Sequence, residues 1–282
     1  MPDNAVREFH FTAQDFQLIS KLIHQRAGIS LTASKQELVY SRVARRLRAT
    51  GIKTFAEYLD RLQRGDAAEW QEFTNSLTTN LTSFFREEHH FQILAGHLRN
   101  LGKTRPIVLW CSACSTGEEA YSLAMTAADT FSGFDNPVRI VASDLDTRVL
   151  EVARAGRYKL ETVAKMPAQQ IDKFFLRGKD ESESYVQVRP ELQSMITFRQ
   201  INLLDLVWPI RGQLDAIFCR NVMIYFDKAT QLAILKKFAP LMRSDGLLFA
   251  GHSENLVHAD AYFKLRARTV YQLSGDYRTP SR

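Results

Sequence analysis

Four short segments carry residue types suited to holding a small polar ligand. The first is WCSACSTGEE (110–119), in which small residues and Gly117 follow an apolar run and open a helical one. Small side chains let the backbone approach a ligand closely, and a helix N-terminus favours an anionic group. The second is ASDLD (142–146), where Asp144 ends an apolar run and its carboxylate could accept both hydroxyls of a ribose. Asn202 with Leu203 forms the third, and FCRNVMIY (218–225) the fourth. By spacing alone they describe a generic nucleotide-binding α/β domain. G-x-G-x-x-G is absent, and Asp144 lies farther from Gly117 than a dinucleotide site places its acid. Asp144 and Asp146 serve equally well as caps of a helix beginning near Thr147.

Cys111 and Cys114 make a C-x-x-C pair, with Cys219 as the third and last thiol. A structural metal would need a second ligand pair and a disulfide framework more cysteines, so all three read as structural thiols and no metal is expected. His89, His90 and His252 read as packing or hydrogen-bonding residues.

The elements that must position these segments fall into two groups. From Thr12 to about residue 72, apolar residues recur at spacings of three and four, the signature of amphipathic helices. Thr12 followed by Asp15 resembles a helix start, and Gly28, Gly51 and Gly65 are plausible stops. From about Arg105 the pattern changes to short strands alternating with helices, which predicts a parallel sheet covered by helices. Strands are expected at 107–110, 138–142, 214–219 and 246–250, and helices at 118–131, 147–155 and 228–242. Residues 156–201 interrupt the alternation with a helical piece near 167–175, a polar turn at 178–184 and a strand-like run at 185–188. That is long for a connection and reads as an inserted subdomain.

The chain has 282 residues, 45% of them hydrophobic and 24% charged, enough for one large domain and a smaller one. Its apolar runs are far shorter than the roughly 20 residues that cross a bilayer. Residues 1–11 lack the layout of a signal peptide, so a cytoplasmic location is expected. The net charge of +6 is concentrated in residues 21–53, where eight basic residues face one acid, Glu37. An acidic partner for this region is expected. Arg42, Arg45, Arg46 and Arg48 are expected on the helix side opposite Val39, Val43 and Leu47. Nucleic acid is not expected, because the aromatic and basic interleaving of base-stacking surfaces is missing.

NSLTTNLTSFFREEHHF (75–91), SACSTGEEAYSLA (112–124), ASDLDTRVLEVARAGRY (142–158), FCRNVMIYFD (218–227) and GLLFAGHSEN (246–255) resemble the CheR-type chemotaxis receptor methyltransferases. The resemblance runs from about Asp15 to Tyr271, with the motifs in matching order. It implies an α/β fold: a Rossmann-like S-adenosylmethionine-dependent methyltransferase domain, a small all-helical N-terminal domain and an inserted small β-subdomain. The implied division is a helical domain at 1–75, a linker at 76–104 that contributes to the cofactor site, and a catalytic domain at 105–282 with the insert at about 156–201.

The implied activity is methyl transfer to glutamate carboxylates in the cytoplasmic helices of transmembrane chemoreceptors. Its products are glutamyl methyl esters and S-adenosyl-L-homocysteine, in the service of sensory adaptation at membrane-bound receptor arrays. Asn80, Thr82, Arg86, Ala113, Glu119, Asp144, Asn202, Leu203, Arg220 and Asn221 would bind S-adenosyl-L-methionine, with Glu119 on the methionyl ammonium and Asp144 on the ribose. Arg86 and Tyr225 would face the reacting carboxylate. Arg42, Arg45, Arg46 and Arg48 would dock the receptor, and the insert resembles a β-subdomain by which some members hold a receptor's C-terminal peptide. A glutamate with a pKa of about 4.3 is ionised at pH 7, so no general base is expected.

Overall fold

The computed structural model describes residues 7–178, 183–210, 212–275 and 277. The polar turn expected at 178–184 therefore lies largely outside the described residues. Contacts between Cα atoms divide the chain into two compact units. One comprises the described residues up to Thr79 together with Tyr225–Asp227, and the other the rest. Among the described residues, no helix is long and apolar enough to cross a membrane.

The first unit is helical: α1 (Ala13–Ala27), α2 (Gln36–Thr50), α3 (Phe55–Gln63) and α4 (Ala67–Leu77). Thr12 and Asp15 open α1 as a reciprocal capping box, the Asp15 N–H donating to Thr12 Oγ1 at 3.1 Å and the Thr12 N–H to Asp15 Oδ2 at 2.8 Å. Such a cap stabilises a helix by about 1 kcal/mol. Gly28 and Gly51 end α1 and α2, whereas α3 stops before Gly65. Val39, Val43, Ala44 and Leu47 bury one stripe of α2 completely.

The four arginines of α2 do not share one free face. Arg46 follows Val43 by three residues, which places it about 60° from Val43 around the helix, on the packed side. Its Nε and Nη2 donate to the two oxygens of buried Glu69, each at 2.9 Å, and Nη1 lies 3.2 Å from Glu72. Tyr58 donates its hydroxyl to the same Glu69 at 2.7 Å. Arg42 is half-buried and donates to the Thr78 carbonyl at 2.6 Å, and Arg48 pairs with Glu8 at 2.9 Å. Arg45 is exposed.

The second unit is built on a seven-stranded sheet. In chain order it contains α5 (His89–Leu101), β1 (Ile107–Cys111), α6 (Glu118–Thr130), β2 (Val138–Asp144) and α7 (Thr147–Ala155). There follow β3 (Arg157–Lys159), α8 (Leu160–Val163), α9 (Ala168–Phe174), β4 (Phe175–Arg177), β5 (Tyr185–Val188) and α10 (Pro190–Gln193). The unit closes with β6 (Ile196–Gln200), β7 (Leu214–Cys219), α11 (Lys228–Phe238), β8 (Met242–Ala250), β9 (Phe263–Ala267) and β10 (Val270–Leu273). The large sheet runs β6-β2-β1-β7-β8-β10-β9. The first five strands are mutually parallel, and β10 pairs antiparallel with both neighbours. All six residues of β7 are buried, as expected for a central strand covered on both faces. Chain order reverses between β1 and β7, where open α/β sheets bind ligands beyond the strands' carboxyl ends.

β3, β5 and β4 form a separate antiparallel sheet with β5 in the middle, so the interruption expected from residue 156 is a β-subdomain. Its expected end at residue 201 is too late, because β6 pairs in register with β2, Ile196 opposite Ile140. The helix expected to reach Met242 stops at Phe238, ahead of Pro240, which cannot continue its hydrogen bonding. The β9–β10 hairpin, which turns the sheet mixed at one edge, has no counterpart among the expected strands.

Candidate functional site

The carboxyl ends of β1 and β2 are tied together by backbone-to-carboxylate bonds. Asp144, the last residue of β2, accepts from the Ser115 N–H at 2.8 Å on Oδ2 and from the Asp146 N–H at 3.0 Å on Oδ1. Asp146 is the cap of α7, accepting from the N–H groups of Arg148 and Val149. The two aspartates thus divide the roles that the sequence left open: Asp146 holds a helix, and Asp144 holds the loop after β1. Burial pushes the Asp144 carboxyl up to about 6, against the lowering effect of the Asp146 and Ser115 N–H groups. With the Leu145 N–H as a third backbone donor, the carboxylate still has about four lone-pair sites, so capacity for a ligand hydroxyl remains.

The loop itself is over-determined. Ser115 sits at φ 49°, and its hydroxyl donates to the Asn80 carbonyl at 2.8 Å, while the Asn80 amide donates to Asp146 at 2.8 Å. Gly117 has φ 102°, and a Cβ there would lie 2.8 Å from the Tyr158 hydroxyl and 2.9 Å from Ala153 Cβ. Only glycine fits. Ala113 is half-buried in the same loop. Asn202 and Leu203 follow β6 directly; the Ile201 N–H donates to the Asp144 carbonyl at 3.1 Å, which brings this turn to the same strand ends.

A cluster of charge lies in the same unit. Arg220, fully buried at the end of β7, donates through Nη1 to Glu119 Oε2 at 2.7 Å and through Nη2 to the Arg86 carbonyl. Its Nη2 also lies 3.2 Å from Glu87 Oε2. Cys111 donates its thiol to Glu119 Oε1 at 3.2 Å. All three cysteines are free and buried, and burial, followed for Cys111 by the charge of Glu119, holds that thiol well above its ordinary range. They are inert packing groups.

Arg86 is half-buried, its Nη1 donating to the Leu81 carbonyl at 3.0 Å, in the segment that also carries half-buried Thr82. Its neighbours Phe85 and Glu87 adopt φ 52° and 59°. Left-handed backbone at two non-glycine residues is strain of the kind that collects at functional sites. Asn221 is also left-handed, at φ 57°. It is held by buried Glu254, whose carboxylate accepts from the N–H groups of Asn221 at 2.9 Å, Met223 at 2.8 Å and Gly251. Sequence reasoning missed both Glu254 and Glu87, although each lies inside a motif it singled out. Each stands among other polar residues, REEHH (86–90) and HSEN (252–255), so nothing in its immediate sequence sets it apart.

His90 is buried, bonds Thr269 Oγ1 through Nε2 at 2.8 Å, and is pushed down to about 3 by burial and the nearby Arg220, so it is neutral. His89 stacks on His252 at 5.3 Å. Tyr225 clusters with the helical unit, where its carbonyl accepts from the Ser30 N–H at 2.8 Å. Among the described residues, no group of three or more His, Cys, Asp or Glu could hold a metal ion.

The donor set of the second unit fits a nucleoside that carries a cation. Asp144 offers acceptors for hydroxyls, and the buried Arg220 is outnumbered by two carboxylates. Arg220 Nε is buried without a hydrogen-bond partner among the described residues, which marks the cluster as incomplete.

Comparison with known proteins agrees over nearly the whole chain. The family model described as "CheR methyltransferase, SAM binding domain" matches residues 80–272, and "CheR methyltransferase, all-alpha domain" matches residues 14–78. The chain is 52% identical to chemotaxis protein methyltransferase 2 of Pseudomonas aeruginosa, covering 94% of this chain and 95% of that protein. It is 50% identical to the chemotaxis protein methyltransferase of Escherichia coli, covering 93% and 91%. A solved structure, PKMT2 from Rickettsia typhi in complex with AdoHcy, matches at 17% identity and a TM-score of 0.31, over 55% of this chain and 24% of that one. That likeness is too loose to add to the assignment. With both family models in tandem and the strand-end site in place, the chain belongs to the CheR methyltransferase family, as an S-adenosylmethionine-dependent methyltransferase.

Proposed function

We propose that the protein methylates glutamate side chains on the cytoplasmic helices of chemoreceptors, giving glutamyl methyl esters and S-adenosylhomocysteine. The observation that carries this reading is the tandem match to both CheR family models, in a chain that covers more than 90% of chemotaxis methyltransferases about half identical to it.

Bound S-adenosylmethionine supplies a methyl group already activated by its positive sulfur. Asp144 accepts the ribose hydroxyls, Glu119 takes the methionyl ammonium, and Asn80, Thr82, Ala113, Asn202, Leu203, Arg220 and Asn221 line the remainder of the pocket. Alignment of the acceptor opposite the leaving sulfur is then the main task left to the protein. Arg86 orients the acceptor carboxylate, since a guanidinium stays charged and can grip both oxygens. Its role is orientation, because methylation removes the charge it holds. Tyr225 directs one oxygen through its hydroxyl.

In this reading residues 1–75 dock the receptor, 76–104 link and contribute to the cofactor site, and 105–282 hold the catalytic domain. Arg45 carries the docking charge, with Arg42 and Arg48 beside it and Arg46 as the internal tie that fixes α2. The subdomain formed by β3, β5 and β4 offers strand edges for a receptor's C-terminal peptide by strand addition. Cytoplasmic work at receptor arrays completes the proposal.

The test is transfer of radiolabelled methyl to receptor-containing membranes, followed by mild base. Label released as methanol supports a carboxyl ester; base-stable label points to N- or S-methylation and rejects glutamate. Arg86→Ala is expected to lower transfer by about a hundredfold or more while leaving the fold intact.

A further inference from the structure

Glu87 lies among the polar ends that organise the strand-end site, yet nothing in the chemistry above uses it. Its Oε2 is 3.2 Å from Arg220 Nη2, 3.5 Å from His90 Nδ1 and 3.7 Å from His252 Nε2. Its Oε1 accepts from the His252 N–H at 3.3 Å and the Asn221 amide at 3.5 Å. The side chain is 7% exposed. A carboxylate so buried is unfavourable unless a cation faces it, and the nearest one is Arg220. Burial alone would raise the Glu87 carboxyl, yet Arg220 and the His252 N–H hold it below its ordinary range, so Glu87 is ionised.

Charge balance gives this a consequence. Arg220 is one positive charge between the carboxylates of Glu87 and Glu119. His90 adds none, being neutral. Without Glu87, the Arg220–Glu119 pair would be neutral and Arg220 would hold Glu119 outright. With Glu87 present, the cluster keeps one uncompensated negative charge.

We propose that Glu87 is a positioning residue of the cofactor site: it neutralises Arg220, so that Glu119 retains a negative charge for the cofactor's ammonium group. The left-handed backbone at Glu87 and Phe85 is the local strain of turning this carboxylate inward. The inference rests on the assignment of the ammonium to Glu119 made above.

A double-mutant cycle tests it, with the dissociation constant of S-adenosylhomocysteine measured by calorimetry for Glu87→Gln, Glu119→Gln and the double variant. Glu87→Gln alone is expected to weaken binding about tenfold, the loss typical of one charge-assisted contact. In the double variant that loss should disappear, because no charge at 119 is left to protect. Unchanged binding in Glu87→Gln, or losses that simply add, overturn the proposal. If Glu119→Gln binds like wild type, the ammonium assignment itself fails; if it is impaired while Glu87→Gln is not, only the role of Glu87 fails. Should Glu87→Gln not fold, Glu87→Asp, which keeps the charge on a shorter side chain, enters the same cycle, and unchanged binding or additive losses again overturn the proposal.

Discussion

Each unit sets an arginine beside two carboxylates, half-buried Arg46 in one and buried Arg220 in the other, and the two clusters are completed in opposite ways. Arg46 is gripped by both oxygens of Glu69, touches Glu72, and shares Glu69 with the Tyr58 hydroxyl. None of these side chains has a buried polar atom without a partner among the described residues. Arg220 meets Glu119 at 2.7 Å and Glu87 at 3.2 Å, but its buried Nε has no hydrogen-bond partner among the described residues, and the backbone at Phe85, Glu87 and Asn221 is left-handed. A polar network whose groups satisfy each other fixes a core; one held short of completion, on strained backbone, has capacity left for a ligand. Residue chemistry is nearly the same in both. Satisfaction separates structure from site.

The sharpest way to break the comparison is to remove one carboxylate from each cluster. Glu69→Ala leaves Arg46 with Glu72 alone and the buried Tyr58 hydroxyl without its acceptor, and is expected to destabilise the protein by about 3 kcal/mol in chemical denaturation followed by circular dichroism. Glu119→Gln is expected to cost under about 1 kcal/mol of stability, because Gln keeps the shape and a hydrogen bond to Arg220. The loss falls on binding instead: affinity for S-adenosylhomocysteine should drop about a hundredfold, close to 2.7 kcal/mol. Equal stability losses in the two variants would erase the distinction.

That distinction is only partly legible in the sequence. A strand with both faces covered is a largely apolar run, so β7 has the bounds its residues suggest, and β5 is legible instead from the alternation of its two buried valines with half-buried Tyr185 and Gln187. Edge strands bury one side chain in two or fewer, and β6 and β9 accordingly carry too little pattern to separate them from loops. Residue type at a strand end points to Asp144, whereas Glu119 and Arg220 are singled out only through the family resemblance, within motifs whose spacing alone is generic. Arg46 escapes such reading, since four arginines in seven residues suggest a face while the angle from Val43 puts one of them inside. Glu87 and Glu254 leave no such mark because their function is to hold other residues, and that depends on contacts 134 and 33 residues away.

Glu254 gives the next test. A Cβ on Gly251 would lie 2.4 Å from the Asn221 amide nitrogen and 2.9 Å from its backbone nitrogen. Because one of those atoms is backbone, a side-chain rotation cannot relieve the overlap. Gly251→Ala should displace the left-handed Asn221 from Glu254, destabilise the unit by about 1–3 kcal/mol and weaken S-adenosylhomocysteine binding roughly tenfold. Wild-type affinity in this variant would mean that Asn221 need not sit where Glu254 holds it.

The smallest effect expected is a pH dependence that runs in opposite directions for folding and for binding. Burial raises Asp144 from its ordinary value of 3.8 to about 6. For folding, a raised value favours the protonated native state, so its contribution is fully present below 3.8 and is lost as pH rises through about 6. Binding needs the ionised form, since a carboxylate that accepts two ribose hydroxyls must keep both oxygens free of protons. Affinity for S-adenosylhomocysteine should therefore be level above pH 7 and fall as pH drops through about 6, reaching about a tenfold loss one unit lower. Asp144→Asn should bind more weakly throughout and show no such step, whereas a step that survives the substitution would belong to another group.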